Sequence, residues 1–169
     1  MLRPSKASLF LFLCATLVLP LSAAAGSDVA VSLEAHKVTA DARGKESFAP
    51  GDQARPGDVI EYRALYTNQG AGAVKQLVAT LPIPAGVEYL GTTARPAVVH
   101  ASLDGKAFAP IPLKRTVRLA DGREVTREIP TSEYRWLRWT IGSLAPRSSE
   151  IVRARVRVAA PAVAAAVTR

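Results

Sequence analysis

The sequence is poor in the residue types that most often build catalytic and metal sites. Its single cysteine, Cys14, lies in an amino-terminal apolar run of the 169-residue chain. Beyond that run, disulfide frameworks, thiol nucleophiles and thiolate metal sites are excluded. The two histidines, His36 and His100, fall in different predicted strands and neither flanks an acidic motif. We therefore predict no catalytic residue, no metal site and no cofactor.

Sequence motifs for known site chemistries are also missing. There is no G-x-S-x-G turn, no H-E-x-x-H helix, no acidic calcium loop and no glycine-rich phosphate loop. The isolated pairs Asp104-Gly105 and Asp121-Gly122 are typical of turns. We therefore predict that the protein is not an enzyme. An unrecognised hydrolase is the alternative, and a cavity gathering a histidine, a carboxylate and a serine would support it.

The first 25 residues have the three-part pattern of a secretory signal peptide. Arg3 and Lys6 precede the uncharged apolar run 7–19, and small residues follow up to Ala25. Thirteen residues in a helix span roughly 20 Å, which is short of the ~30 Å hydrocarbon core of a bilayer. We expect cleavage after Ala25 and an exported chain, periplasmic or extracellular, with no transmembrane anchor after cleavage.

Helical periodicity is nearly absent from the rest of the chain. The twelve prolines and eleven glycines of the sequence separate short runs rich in Val, Ile, Thr, Tyr and Trp, a pattern typical of strands. The predicted strands cover 29–39, 58–68, 73–81, 87–90, 98–103, a hairpin over 114–129, 134–141 and 150–158. These roughly eight to nine antiparallel strands predict an all-β sandwich over residues 26–158. A flexible alanine-rich tail is expected at 159–169.

The pairing within the hairpin can be predicted from charge. A three-residue loop with its glycine in the left-handed conformation pairs Arg118 with Glu124 and Lys114 with Glu128. A two-residue loop would pair Arg118 with Val125 instead. Because the longer loop places opposite charges across the ladder, it is the favoured prediction.

Basic residues are concentrated in the carboxy-terminal third. Residues 26–113 contain eight basic and nine acidic side chains, whereas residues 114–169 contain twelve and five. The last strand alternates valine or alanine with arginine, which predicts one core face and one solvent face. We predict a cationic sheet face, with Tyr134 interleaved, whose candidate surface residues are Arg138, Arg153, Arg155, Arg157 and Trp136.

Such a face would attract an acidic partner. In an exported chain the candidates are envelope phosphates, acidic glycans, an anionic membrane or an acidic envelope protein. Export argues against nucleic acid. The alternative interpretation is a solvated strand face whose arginines discourage edge-to-edge aggregation. The sequence leaves the oligomeric state open.

Three segments, taken in order, resemble a known family. PGDVIEY at 56–62 is followed by TNQG at 67–70, then by LPIPAGVEY at 81–89 and LRWTIGSLAP at 137–146. The set resembles the bacterial conserved-repeat domain called domain of unknown function eleven, over about residues 50–158. The resemblance implies an immunoglobulin-like sandwich of secreted and cell-surface proteins, often in tandem, and it implies no reaction.

These expectations combine into one functional hypothesis. The chain is predicted to be a non-enzymatic envelope module with a structural, adhesion or protein-interaction role, acting through the cationic face. Assembly with a partner by β-strand addition at a sheet edge is the first alternative.

Overall fold

Alternating apolar and polar side chains produce antiparallel strands throughout residues 28–160, the part of the chain that the computed structural model describes. The predicted signal peptide at 1–25, its cleavage point and residues 161–169 of the predicted tail lie outside these described residues. All strand pairs within them are antiparallel.

Eleven strands are present in the described residues. They are β1 (Val29–Ala40), β2 (Glu46–Pro50), β3 (Val59–Asn68), β4 (Val74–Pro82), β5 (Val87–Tyr89), β6 (His100–Ser102), β7 (Ala109–Pro110), β8 (Lys114–Arg118), β9 (Glu124–Glu128), β10 (Trp136–Leu144) and β11 (Ser149–Val158). Single 3₁₀ turns at Gly51–Gln53 and Thr131–Glu133 precede β3 and β10.

Nine of these strands form two sheets that pack face to face. The first sheet has the order β2-β1-β3-β11-β5, and the second has the order β4-β10-β6-β7. Buried side chains of β3 and β11 in the first sheet form one cluster with those of β4 and β10 in the second. Among the described strands, the remaining two, β8 and β9, pair with each other and with no other strand. The predicted all-β sandwich is confirmed.

The core lies between the inner faces of the two sheets. Val152, Ala154 and Val156 of β11 are buried, as the alternation predicts, in one cluster with side chains of β10. Trp139 of β10 is the largest buried side chain, with 1 % of its surface exposed. Its Nε1 donates a hydrogen bond of 2.8 Å to the carbonyl of Pro96, which satisfies the one polar atom of a buried indole.

A buried amide ties the end of β3 to the end of β10. The Asn68 side chain donates hydrogen bonds to the carbonyls of Gly72, Leu144 and Ala145, at 2.8, 3.0 and 3.1 Å. Its Oδ1 accepts the N–H of Gly70 at 2.9 Å. Because a buried amide must be fully bonded, Asn68 fixes how the two sheets meet at this end.

The hairpin has the predicted register. Strands β8 and β9 pair Arg118 with Glu124 and Lys114 with Glu128. Gly122 has a φ of +84°, the left-handed conformation that the three-residue loop requires. The N–H of Leu119 donates to the carbonyl of Arg123 at 2.8 Å and closes the loop.

Two short strands are missing from the prediction, β2 and β7. Strand β2 has the sequence ESFAP and all five of its residues are exposed. Strand β7 has two residues, one of them a proline. Neither has the alternation that identifies a half-buried strand, since both lie at sheet edges.

Candidate functional site

The predicted cationic face is divided between the two sheets. Trp136 and Arg138 belong to β10 in the second sheet, whereas Arg153, Arg155 and Arg157 belong to β11 in the first. The outer faces of a sandwich point away from each other. The structure therefore does not bring the five residues together, and the prediction of one surface is corrected to two separate ones. Alternation identifies the outward side chains of each strand but not the sheet that the strand joins.

Trp136 and Arg138 lie beneath the loop that links β6 to β7. The Arg138 guanidinium stacks on the Phe108 ring at 3.4 Å from its centroid. A Cβ added at Gly105 would lie 2.9 Å from the Trp136 Nε1, so the loop backbone lies directly on the indole. These two side chains are consequently packed against their own loop and present little surface to a large partner.

Tyr134, expected beside these residues on the cationic face, is buried instead. Strand β10 begins only at Trp136, so the strand alternation does not extend back to this position. The Tyr134 hydroxyl accepts the N–H of Leu113 at 2.8 Å. Its ring stacks on that of Tyr89 with centroids 6.2 Å apart. Tyr134 is therefore a core residue.

The arginines of β11 join a cluster around Glu61 of β3. Glu61 is on the outer face of the first sheet, yet only 2 % of it is exposed. Arg63 Nε donates to Glu61 Oε1 at 2.7 Å, and Arg155 Nε donates to Oε2 at 2.8 Å. Arg155 also donates two hydrogen bonds to Glu46, at 2.6 and 2.7 Å. Arg153 approaches Glu61 only to 4.0 Å.

These contacts keep the cluster charged. Burial by itself would raise the pKa of Glu61, but the hydrogen bonds from Arg155 and Arg63 outweigh it, so the pKa is lowered from its ordinary value. The hydrogen bonds to Glu46 raise the pKa of Arg155. The cluster is therefore fully ionised around neutral pH.

The outer face of the first sheet is electrically balanced. Side chains directly opposite one another across antiparallel strands share a face, and the register places four arginines and four glutamates on this one. They are Arg63, Arg153, Arg155, Arg157, Glu34, Glu46, Glu61 and Glu88. The basic last strand lies between β3 and β5, and glutamates of the first sheet offset the positive charge of its arginines.

At one corner of this face an additional arginine, Arg95, makes the charge positive. The segment that follows β5 runs beside β11, where Arg95 and Arg153 exchange two backbone hydrogen bonds of 2.8 Å. The next N–H of the ladder, from Arg155, donates to the hydroxyl of Thr93 at 3.0 Å. The segment bulges outward there, and Thr92 has a φ of +68°, a conformation that β-branched residues rarely adopt.

A cavity of about 300 Å³ opens at this bulge. Its lining residues are Glu61, Thr92, Thr93, Arg95, Arg153 and Arg155. We call it the Arg95–Arg153 cavity. Strand alternation in the sequence identifies Arg153 and Arg155 but not Arg95, because the bulged segment has no strand pattern. Only its pairing with β11 shows where Arg95 lies.

A second cavity, of about 280 Å³, contains a histidine, a serine and a carboxylate: His100, Ser143 and Glu150. This is the grouping that would support a hydrolase. However, no hydrogen bond or ion pair joins any two of the three side chains, and a nucleophile needs a base within hydrogen-bond reach. The other histidine, His36, bonds to Glu34 at 2.9 Å, outside both cavities.

Within residues 28–160, no three side chains of His, Cys, Asp or Glu are placed to hold a metal ion. In the same range no helix has the length and apolar character that crossing a membrane would require.

The first sheet extends beyond the second on the side of β1. Val31 and Leu33 share the inner face with Tyr66 and Ala64, their partners on β3, but they are 57 % and 53 % exposed. They are uncovered because the second sheet ends at β4. These two apolar side chains of β1 therefore lie outside the core.

The same part of β1 is also a free sheet edge. Strand β2 pairs with β1 only from His36 to Ala40, so within the described residues no strand lies beyond the segment 30–34. We call this segment, with the exposed side chains of Val31 and Leu33, the β1 ledge.

The edge of the second sheet, in contrast, is protected. On β4, the N–H of Thr80 donates to the Tyr66 hydroxyl at 3.1 Å, so this group is not available to a new strand. Gln76 interrupts the ladder with a φ of +56°, and Pro82 ends it. Bulges and prolines are features by which edge strands avoid pairing. The β1 ledge has neither of them.

Comparison with family models found no match, and neither the curated proteins nor the solved structures contain a chain that matches this one.

Proposed function

We propose that this chain is an exported, non-enzymatic module of the cell envelope that binds another protein by β-strand addition at the β1 ledge. The observation that carries this proposal is the coincidence of an unpaired strand edge with two exposed aliphatic side chains on the same segment. In β-augmentation, backbone hydrogen bonds supply affinity and contacts with alternate side chains supply specificity. The ledge offers both kinds of contact.

The composition of the ledge indicates the chemistry of the partner. Edge strands usually carry charges or prolines that prevent unwanted pairing. Between Ala30 and Glu34 the only charged side chain is that of Glu34 at the end. The matching partner is an extended, uncharged segment with aliphatic side chains at alternate positions. Covering the exposed halves of Val31 and Leu33 would contribute about 1 kcal/mol each.

The balanced charge of the outer face favours this proposal over a general polyanion-binding surface. Four glutamates offset four of the five arginines on this face, Arg95 being the fifth, so long-range attraction of an acidic polymer would be weak. The resemblance to the conserved-repeat domain, with its immunoglobulin-like fold and secreted context, supports the envelope part of the proposal.

The proposal can be tested by site-specific photocrosslinking in the native host. A photoreactive amino acid replaces Ser32, at the middle of the ledge, and crosslinked peptides are sequenced by mass spectrometry. We expect a crosslink to an uncharged, strand-forming segment of another protein. The crosslink should be lost when Val31→Lys and Leu33→Lys are introduced together, because the lysines charge the ledge. Val98→Lys, at an exposed position just before β6 of the second sheet, is the matched control and should leave the crosslink unchanged.

Two results would overturn the proposal. One is a crosslink yield at Ser32 no greater than at position 98, or one that the two lysine substitutions do not reduce. The other is a crosslink only to a second copy of this chain, which would assign the ledge to self-association and not to another protein.

A further inference from the structure

The Arg95–Arg153 cavity places two like charges directly opposite each other. The two arginines form an antiparallel bridge with both backbone hydrogen bonds made, so their side chains leave the sheet on the same side. Like charges in this arrangement destabilise a sheet. The two guanidinium groups therefore repel each other, and an anion bound between them would offset this repulsion.

Among the described residues, neither arginine forms a close ion pair with a carboxylate. Arg95 Nη1 donates to the carbonyls of Thr92 and Ala94, at 2.9 and 2.7 Å, and makes no ion pair. The nearest carboxylate oxygen to Arg153 is Glu61 Oε1 at 4.0 Å. That oxygen already accepts the 2.7 Å hydrogen bond from Arg63. Two guanidinium groups thus retain free N–H donors at the cavity.

The charge around the cavity is positive even though Glu61 lies at its floor. Glu61 is bonded to Arg63 and Arg155, and Glu46 is bonded to Arg155. Among the charged side chains that line the cavity, three arginines (Arg95, Arg153 and Arg155) face one carboxylate, that of Glu61, which leaves a net charge of +2 on the lining. This surplus is local, because Arg157 on the same strand is paired across the ladder with Glu88.

Thr92 adds a hydroxyl donor at the cavity and a second indication of function. Its side chain makes no hydrogen bond within the described residues, and it lines the cavity. Its left-handed backbone is costly for a β-branched residue, and such strain is concentrated at functional sites. The bulge that holds Thr92 also creates the cavity.

From this geometry we infer that the Arg95–Arg153 cavity binds a phosphate monoester, with Arg95 and Arg153 as its principal ligands and the Thr92 hydroxyl as a third donor. Arginine forms paired hydrogen bonds with phosphate oxygens. A phosphate monoester carries nearly two negative charges at neutral pH, which matches the surplus of +2. A cavity of about 300 Å³ is at the small end of ligand sites and suits a headgroup or a sugar phosphate.

The test is an NMR titration of the purified protein with inorganic phosphate at constant ionic strength, following the arginine Nε–Hε and backbone amide resonances. We expect saturable shifts at Arg95, Arg153, Thr92 and Thr93. Arg153→Gln should weaken the affinity by about tenfold or more, since a charge-assisted hydrogen bond is lost. This variant should still fold, because Arg153 makes no contact closer than 4.0 Å with a charged partner, and a thermal melt checks it.

Arg157→Gln is the matched control. It removes the same charge from the same face of β11 but lies outside the cavity. We expect it to change the affinity by no more than about twofold, the scale of a screened surface charge. Equal weakening by the two substitutions would overturn the proposal in favour of non-specific attraction. The absence of saturable shifts in the wild-type protein would overturn it as well.

Further titrations with other ligands distinguish the possible sources of the phosphate group. Glucose 1-phosphate stands for a sugar phosphate, and phosphatidylcholine vesicles that contain phosphatidic acid stand for a lipid headgroup. Glucuronate supplies a carboxylate in place of phosphate. Binding of glucuronate as tight as that of phosphate would contradict the assignment to phosphate. None of these measurements involves the β1 ledge, so their outcome is independent of the strand-addition proposal.

Discussion

Removing the charge of Glu61 should destabilise the protein far more than removing an exposed charge from the same face. The side chain is 2 % exposed, while its partners Arg63 and Arg155 are 27 % and 24 % exposed. Each charge-assisted hydrogen bond contributes about 1.5–3 kcal/mol where water is excluded. Because both arginines stay partly hydrated, about half of that is retained per bond. Over the two bonds we therefore expect Glu61→Gln to cost about 1.5–3 kcal/mol, or about 5–15 °C in Tm.

The measurement is urea unfolding of the wild type, Glu61→Gln and Glu34→Gln, followed by circular dichroism. Glu34 is the control because it lies on the same face, is exposed, and within residues 28–160 its carboxylate bonds to His36 alone. Its substitution should cost at most about 0.5 kcal/mol, as exposed pairs do. A cost for Glu61→Gln within that same range would refute the argument that burial makes this cluster strong.

The pH dependence gives a second check with a definite sign. The pKa of Glu61 is lowered in the folded protein, so the folded state binds fewer protons at this site than the unfolded state does. Its stabilising contribution is present above the ordinary glutamate pKa of about 4.3 and is lost as the pH falls through the lowered value. The difference in stability between wild type and Glu61→Gln should therefore shrink on acidification. A difference that stays constant or grows below that pH would contradict the assignment.

Two further predictions test the register and the core. With the native cysteine replaced by serine, the pair Arg118→Cys and Glu124→Cys should oxidise spontaneously, whereas Arg118→Cys with Val125→Cys should not; gel mobility without reductant distinguishes them. Oxidation of the second pair alone would contradict the three-residue loop. Trp139→Phe should lower the free energy of unfolding by about 2–4 kcal/mol, because it leaves a cavity and an unbonded Pro96 carbonyl. A urea-unfolding cost below about 1 kcal/mol would refute that role.

Local pattern was sufficient to predict most of the fold. The alternation in β11 identifies Val152 and Val156 as core residues, and the opposed charges in the hairpin identify its register. Both depend only on neighbours in sequence or on a short loop. The strand list was therefore accurate except for β2 and β7, which are short edge strands with little or no burial.

Local sequence pattern could not predict which distant strands pair with each other. Arg155 and Glu61 are 94 positions apart, and nothing in either segment specifies that they pair. The same is true of Arg95 and Arg153, which meet only because the bulged segment lies beside β11. The exposure of Val31 has the same origin, since it depends on where the second sheet ends.

The position of β3 has a mechanical consequence. It lies between β1 and β11, which pair with it over Val29–Val38 and Ser149–Arg157 and run parallel to each other. The start of β1 therefore lies at one end of β3, beside Asn68, and the end of β11 lies at the opposite end, beside Val59. Tension applied through the two ends would load both ladders in shear, with the force perpendicular to all their hydrogen bonds. Rupture would require many of these bonds to break together, so the two ladders would resist such tension more strongly than ladders that are loaded one bond at a time.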